Sequence, residues 1–263
     1  MAENLAVVVP IYKQNLSDSE ILSLKILEKY LNDFKIFTIG PKNTEKDFPQ
    51  FTFIKFNPSF FENTHTYSKL LLSKNFYNYF SNYSHILIYQ IDCLVFSSNI
   101  LKWCSLDYDY IGAPLFKDND NPEKGFSFIG NGGLSLRKIS GFLNVLNSRR
   151  IPKWTEVLYS NFPDRYKVGY KKRLRVVKEA RKGINWYSNN YSLNEDLFWS
   201  QRAKLFYPEF KIAPVELAIE FAFEANPRYC YKLINERLPF GVHAWERWDK
   251  EFWLDIMDQN LKV

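Results

Sequence analysis

The sequence predicts an α/β fold, a central sheet covered by helices on both faces. Three observations predict it. Short apolar runs at residues 5–9, 34–39, 51–56 and 86–91 alternate with segments of helical period. The run Ile86-Leu-Ile-Tyr-Gln-Ile91 lacks strict polar alternation, which fits a strand buried on both faces. It ends on a single carboxylate, Asp92. A charge at that position stands at the carboxyl edge of the sheet, where open α/β sheets bind their ligands. The ordinary alternative is that Asp92 caps the following turn or helix.

The elements follow in order. Residues 5–9 form a first strand stopped by Pro10, and Pro10, Ile11 and Tyr12 leave it at the same edge as Asp92 if the strands are parallel. Ser17-Asp-Ser-Glu20 is a capping box that opens a helix with Ile21, Leu24, Leu27 and Leu31 on one face. Strands at 34–39 and 51–56 end at Gly40-Pro41 and Asn57-Pro58. A second helix, from Thr64 or Thr66, carries Tyr67, Leu70, Leu71, Lys74 and Tyr77 at helical spacing. No P-loop is present, and no Gly-x-Gly-x-x-Gly follows the first strand, so an ordinary ATPase or dinucleotide enzyme is excluded.

Beyond Pro114 the pattern changes. Residues 126–129 read as a short strand, and Gly130-Asn131-Gly132-Gly133 as a turn that either closes a tight hairpin or admits a ligand close to the main chain. Residues 139–146 read as a helix, 149–183 as two basic helices around Phe162-Pro163, and 186–191 as an aromatic, Asn-rich loop. A further helix begins near Leu193 with Glu195 and Asp196 in its first turn, where acids also simply complement the helix dipole. A turn-rich piece, 239–245, holds His243, and residues 247–261 close the chain as an amphipathic helix.

Composition bounds the function. Hydrophobic residues make up 46% and aromatics 18%, which excludes general disorder. The three cysteines, Cys93, Cys104 and Cys230, have neither metal-ligand spacing nor an even count, as expected of reduced thiols. No secretory leader is evident, and no apolar run approaches the ~18 residues of a spanning helix. The expectation is a cytoplasmic protein. Its net charge of +6 is unevenly spread: residues 149–182 hold twelve basic and three acidic side chains, a net +9, and the remainder is at −3. Such a segment invites an anionic membrane surface, which would make the protein peripheral on an inner membrane, or remains a solvated insertion. No nucleic-acid-binding motif accompanies it, so nucleic acid is not an expected partner.

Several motifs then fall in one order: Val7-Val-Val-Pro-Ile-Tyr12, Tyr67-Ser-Lys-Leu70, Ile88-Tyr-Gln-Ile-Asp92, Asp109-Tyr-Ile-Gly-Ala-Pro114, Gly130-Asn-Gly-Gly-Leu-Ser-Leu-Arg137, Asn194-Glu-Asp-Leu-Phe-Trp199, Glu220-Phe-Ala-Phe-Glu224 and Pro239-Phe-Gly-Val-His-Ala-Trp245. Together they resemble a family of glycosyltransferase-like proteins of bacteria and fungi, carried as a domain of unknown function and related to GT-A glycosyltransferases. The match runs over residues 5–248. The resemblance implies a GT-A-like fold, a Rossmann-like mixed sheet flanked by helices in one fused domain. Residues 1–116 would form the nucleotide-sugar half and 117–263 the acceptor half, with a basic helical insertion at 149–183. It implies transfer of a sugar from a nucleotide-sugar donor to a hydroxyl of a glycan or lipid-linked acceptor, in bacterial surface polysaccharide synthesis.

The resemblance also implies roles. Donor binding falls to Pro10, Ile11, Tyr12, Tyr67, Lys69, Gln90, Asp92, Asn131, Gly132 and Gly133. Asp92 stands where GT-A enzymes carry an Asp-x-Asp motif that holds Mn²⁺ or Mg²⁺ on the donor diphosphate, but Cys93 and Leu94 follow it, so the second carboxylate is missing. His243 is similar in placement to a C-terminal histidine metal ligand, and a packed histidine is the alternative. Asp196 is the implied base of an inverting transfer, with Glu195 binding the acceptor hydroxyl, or the two roles exchanged. Trp186, Tyr187 and Trp199 are candidates for an aromatic acceptor platform, against burial in the core. An inactive nucleotide-sugar-binding scaffold is the other reading that the incomplete motif allows.

Overall fold

A computed structural model of the chain describes residues 3–41, 51–161 and 169–260. Its first part is built by strand–helix alternation: β1 (Glu3–Pro10), α1 (Asp18–Leu31), β2 (Lys35–Gly40), β3 (Thr52–Lys55), α2 (Thr64–Leu71), α3 (Lys74–Tyr79) and β4 (Tyr83–Tyr89). The capping box forms as the sequence predicts, with Ser17 accepting from the Glu20 amide and the Glu20 carboxylate accepting from the Ser17 amide. Short elements follow: β5 (Leu94–Val95), α4 (Ile100–Cys104), β6 (Tyr110–Gly112), β7 (Pro114–Phe116), β8 (Phe126–Ile129), β9 (Leu134–Lys138) and α5 (Ile139–Leu146). The remainder is mostly helical: α6 (Trp154–Asn161), α7 (Tyr170–Ala180), α8 (Ile184–Asn190), α9 (Glu195–Gln201), α10 (Ala203–Phe206), α11 (Val215–Phe221), β10 (Ala222–Phe223), α12 (Pro227–Leu233), β11 (Gly241–Val242) and α13 (Lys250–Asn260).

Six strands form the central sheet in the order β3-β2-β1-β4-β9-β6. The pairs from β3 to β4 are parallel, and β9 runs antiparallel to both β4 and β6. The chain moves outward from β1 to β2 and β3, then returns to place β4 on the other side of β1. That reversal is a topological switch point, and a crevice opens outside the carboxyl ends of the two strands that flank it. The register Val8↔Ile88 sets Pro10 beside Gln90 at that edge.

The apolar runs are continuous because both sheet faces are covered. Val7, Val9, Leu87 and Tyr89 face one core with Trp245 and Trp253; Ala6, Val8, Ile86 and Ile88 face the other with Phe142 and Trp199. Beneath the end of β4, the Tyr89 hydroxyl lies 2.9 Å from Ser23 Oγ and donates to the Cys93 carbonyl at 2.8 Å, which anchors the loop carrying Asp92.

Two expectations are corrected. The helix expected across residues 64–77 is two helices, because Ser73 accepts the Phe76 amide as a new cap while its hydroxyl bonds back to the Leu70 carbonyl. The expected loop at 186–191 is largely helix α8. Its C-terminal carbonyls are held by Lys69 Nζ, which donates to Asn189 at 2.8 Å and Tyr191 at 2.6 Å and reaches Ser188 at 3.4 Å. A cation there satisfies carbonyls that the helix leaves unpaired. In the basic segment, α6 and α7 flank Phe162-Pro163 as expected, and residues 162–168, including Arg165 and Lys167, lie outside the described residues. Among the described residues no helix is long and apolar enough to cross a membrane.

Candidate active site

Two cavities adjoin at the switch point. The first, of about 330 Å³, is lined by Pro10, Tyr12, Asn63, Thr64, Tyr67, Gln90 and Asp92. The second, of about 680 Å³, shares Thr64, Tyr67, Gln90 and Asp92 and adds Asn131, Gly132, Gly133, Glu195, Asp196, Glu224 and His243. Asp92, Asn131, Asp196 and His243, scattered through the sequence, therefore face one crevice. Backbone bonds hold it together: Gln90 N–H to Gly133 O at 2.9 Å, His243 N–H to Phe223 O at 3.0 Å and Trp245 N–H to Asp92 O at 3.3 Å.

At its floor His243 is surrounded by oxygens. Nε2 lies 3.5 Å from Asp92 Oδ1 and 3.1 Å from Gln90 Oε1, and Nδ1 lies 3.3 Å from Glu224 Oε1. Burial opposes a charge on this ring, but the Glu224 hydrogen bond and the charges of Asp92, Glu224 and Asp196 outweigh it and raise its pKa. Glu224 ends the motif Glu220-Phe-Ala-Phe-Glu224, which by itself points to no role. Its place follows from the parallel pairing Phe223↔Val242, which sets the next residue of each strand side by side.

Gln90 and Asp92, two residues apart, line both cavities, whereas Ile91 between them packs into the core and borders only the smaller one. A second carboxylate beside Asp92 in this crevice would stand at position 90, where the chain has Gln, and not at 93 or 94, whose side chains are buried. Among the described residues no three His, Cys, Asp or Glu side chains cluster as a metal site. The donor set nonetheless fits a divalent cation shared with a diphosphate: a carboxylate, an amide oxygen, and an imidazole whose far nitrogen is held by Glu224, as the outer partner of a metal-bound histidine commonly is.

The opposite wall is organised by a buried ion pair. Arg137, in β9, is fully buried and gives Glu195 two hydrogen bonds, Nη2 to Oε1 at 2.8 Å and Nη1 to Oε2 at 3.2 Å. Its remaining donors go to the Tyr77 hydroxyl (3.0 Å), Ser135 Oγ (3.0 Å) and Gly132 O (3.3 Å), and its plane lies over the rings of Tyr110 and Phe142. With all partners in place, the pair is tolerated in the interior. Glu195, expected to bind an acceptor hydroxyl, has both carboxylate oxygens hydrogen-bonded to Arg137. Asp196 has no such partner among its hydrogen bonds. Its Oδ1 accepts the Leu197 amide at 2.7 Å. Burial, and next the negative charge of Glu195, push its pKa to about 7.

The glycines between these walls have an unexpected reason. A Cβ on Gly132 would stand 2.5 Å from Glu195 Oε1, and one on Gly133 would stand 2.2 Å from His243 Nε2. The turn is glycine-rich so that the protein's own side chains can approach its backbone, and Asn131 Oδ1 braces it by accepting the Gly133 amide at 2.7 Å. Three further expectations fail. Lys69 points away to α8. Ile11 is buried in the core between Pro10 and Tyr12. Tyr187 and Trp199 are core residues, and Trp186 lies under the Lys182 ammonium, so none of the three lines the crevice.

This architecture is that of a GT-A glycosyltransferase fold. The structure of galactosyltransferase LgtC in complex with donor and acceptor sugar analogs aligns over 98% of this chain and 97% of that one, at 15% identity and a TM-score of 0.50. A glycosyltransferase involved in glycosylation of the major capsid of PBCV-1 aligns over 91% and 92%, at 9% identity and a TM-score of 0.44. At such identities the likeness is one of fold. No curated protein matches the sequence. The chain belongs to the family described as protein of unknown function (DUF5672), which matches residues 50–243.

Proposed function

We propose that the protein is a glycosyltransferase that moves a sugar from a nucleotide-sugar donor to a hydroxyl of a glycan or lipid-linked acceptor, in the setting of surface polysaccharide synthesis. The observation that carries this reading is the meeting of Asp92 and His243 with Asp196 in one crevice at the switch point. The nucleoside would lie in the first cavity against Pro10 and Tyr12, and the diphosphate would extend toward Asp92 and His243. Asp92, Asp196 and Glu224 give the second cavity an acidic lining, which by itself repels a diphosphate. Bound Mn²⁺ or Mg²⁺, held by Asp92, His243 and the Gln90 amide oxygen, would neutralise charge on the leaving diphosphate as a Lewis acid. Asp196, with a pKa of about 7, is suited to take the acceptor hydroxyl's proton as the hydroxyl attacks, with inversion at the anomeric carbon. Arg137 and Glu195 hold the first turn of α9, and so Asp196, against the glycine turn.

One observation favours a second reading, a nucleotide-sugar-binding protein with weak or no turnover: an amide at Gln90 gives a weaker cation site than a carboxylate. Donor hydrolysis and transfer across UDP-, GDP-, CMP- and dTDP-sugars, with and without Mn²⁺, separates the two. Turnover of one donor class, raised by Mn²⁺, supports the enzyme; saturable binding with no turnover under any condition supports the second reading.

A further inference from the structure

The α6–α7 hairpin carries charge that the crevice does not use. Among the described residues of 149–182, ten basic side chains face two acidic ones. Both acids are already paired, Glu156 with Arg150 at 2.6 Å and Glu179 with Arg175 at 2.8 Å. Helix α7 turns Val176, Val177 and Ala180 toward the core. At about 100° per residue, Lys171 and Lys178 stand opposite these, with Leu174 beside them and Tyr170 on the flank; Arg181 and Lys182 follow directly after the helix. That face is exposed, and so are its apolar members: Tyr170 is 69% and Leu174 50% accessible. Close by in the chain, Ile151 and Trp154 are exposed at 51% and 57%, and α6 packs against α7. Bare aliphatic and aromatic side chains among cations that outnumber their acids form a surface that wants phosphate and hydrocarbon together.

We infer that the outward face of α7, with Ile151 and Trp154 at the start of α6, docks the protein on an anionic lipid bilayer. The boundary between headgroup and acyl chain offers both kinds of partner at one depth, phosphates for the bases and hydrocarbon for Tyr170, Leu174, Ile151 and Trp154. A soluble polyanion such as nucleic acid would engage the bases but gives Ile151 and Leu174 nothing to contact. α7 leads through α8 into the turn that carries Asp196, so the docking face and the reacting wall of the crevice lie on one stretch of chain. The inference stands on the surface alone and does not require that the crevice turn over a sugar.

Sedimentation of the full-length protein with vesicles tests it. Binding is expected to phosphatidylcholine vesicles containing phosphatidylglycerol, not to pure phosphatidylcholine, and to fall with added salt. Lys171→Glu/Lys178→Glu/Arg181→Glu is expected to weaken partitioning about 100-fold or more, from the loss of several cations near the surface. Tyr170→Ser/Leu174→Ser is expected to weaken it about ten-fold through lost apolar burial. All five substituted positions are surface ones apart from the site, and each variant's far-ultraviolet circular dichroism should match the parent. Absence of vesicle binding overturns the inference. So does binding that the serine pair leaves unchanged while duplex DNA competes fully, since that would mark a surface that reads charge alone.

Discussion

Behind the crevice wall, charge is held in one buried pair; on the α6–α7 hairpin, it comes as an exposed excess. Arg137 has no solvent exposure and every donor has an assigned partner, so its position fixes Glu195, Gly132 and through them Asp196. Arg175 also holds a glutamate, but its side chain is 80% exposed and little else depends on it. One interaction acts by geometry, the other through a summed field. The difference teaches where a substitution is felt. A change in the crevice removes a position, and a change on the hairpin removes a fraction of a potential.

The largest expected effect belongs to Asp196→Asn. It should lower kcat by about 10²–10⁴, the range for loss of a positioned base, and leave donor affinity unchanged by calorimetry. In the parent protein kcat/KM should rise as pH increases through about 7, because the base works deprotonated. The stability sign is opposite. A carboxyl whose folded pKa lies at about 7 against an ordinary 3.8 makes ionisation unfavourable in the fold. Stability is therefore lost as pH rises from near 4 to near 7, and Asp196→Asn should raise the melting temperature at pH 8 but not at pH 4.

Next comes Arg137→Met, which leaves Glu195 buried without its partner and should cost about 3–5 kcal/mol in urea unfolding. Arg137→Met/Glu195→Gln should recover a large part of it, which a mere packing defect would not. Gly133→Ala should follow at about 1–3 kcal/mol, with loss of Mn²⁺ stimulation, because the new methyl group takes the place of the His243 ring. The smallest effect is expected for Arg175→Ala on the hairpin, whose melting temperature should not differ measurably from the parent's. A large loss of stability there would erase the contrast between the two regions.

Much of this was legible in the sequence, and the exceptions have physical causes. Strand β4, the capping box at Ser17 and helix α5 (Ile139–Leu146) all follow from local pattern, although β4 stops at Tyr89 and Asp92 stands in the turn beyond it, and Asp92, Asn131, Asp196 and His243 do meet. The failures come from direction and distance. Tyr67 and Lys69 cannot both face the crevice, since two residues apart on a helix their side chains diverge by about 200°. Pro10 and Tyr12 face the cavity while Ile11 does not, as alternation in extended chain requires. Arg137 sits in Leu134-Ser-Leu-Arg137 like any solvent-facing strand residue, and its partner lies 58 positions away. Trp186-Tyr-Ser-Asn-Asn190 reads as loop from its asparagines, but Lys69, from a distant helix, holds its last carbonyls.

The most direct measurement is a crystal structure of the protein with Mn²⁺ and the nucleoside diphosphate of its preferred donor. The account predicts the diphosphate against Asp92 and His243, the base beside Tyr12, and Asp196 facing the space left for the sugar. A nucleotide bound outside this crevice, or inside it with Asp196 turned away from the terminal phosphate, would contradict it.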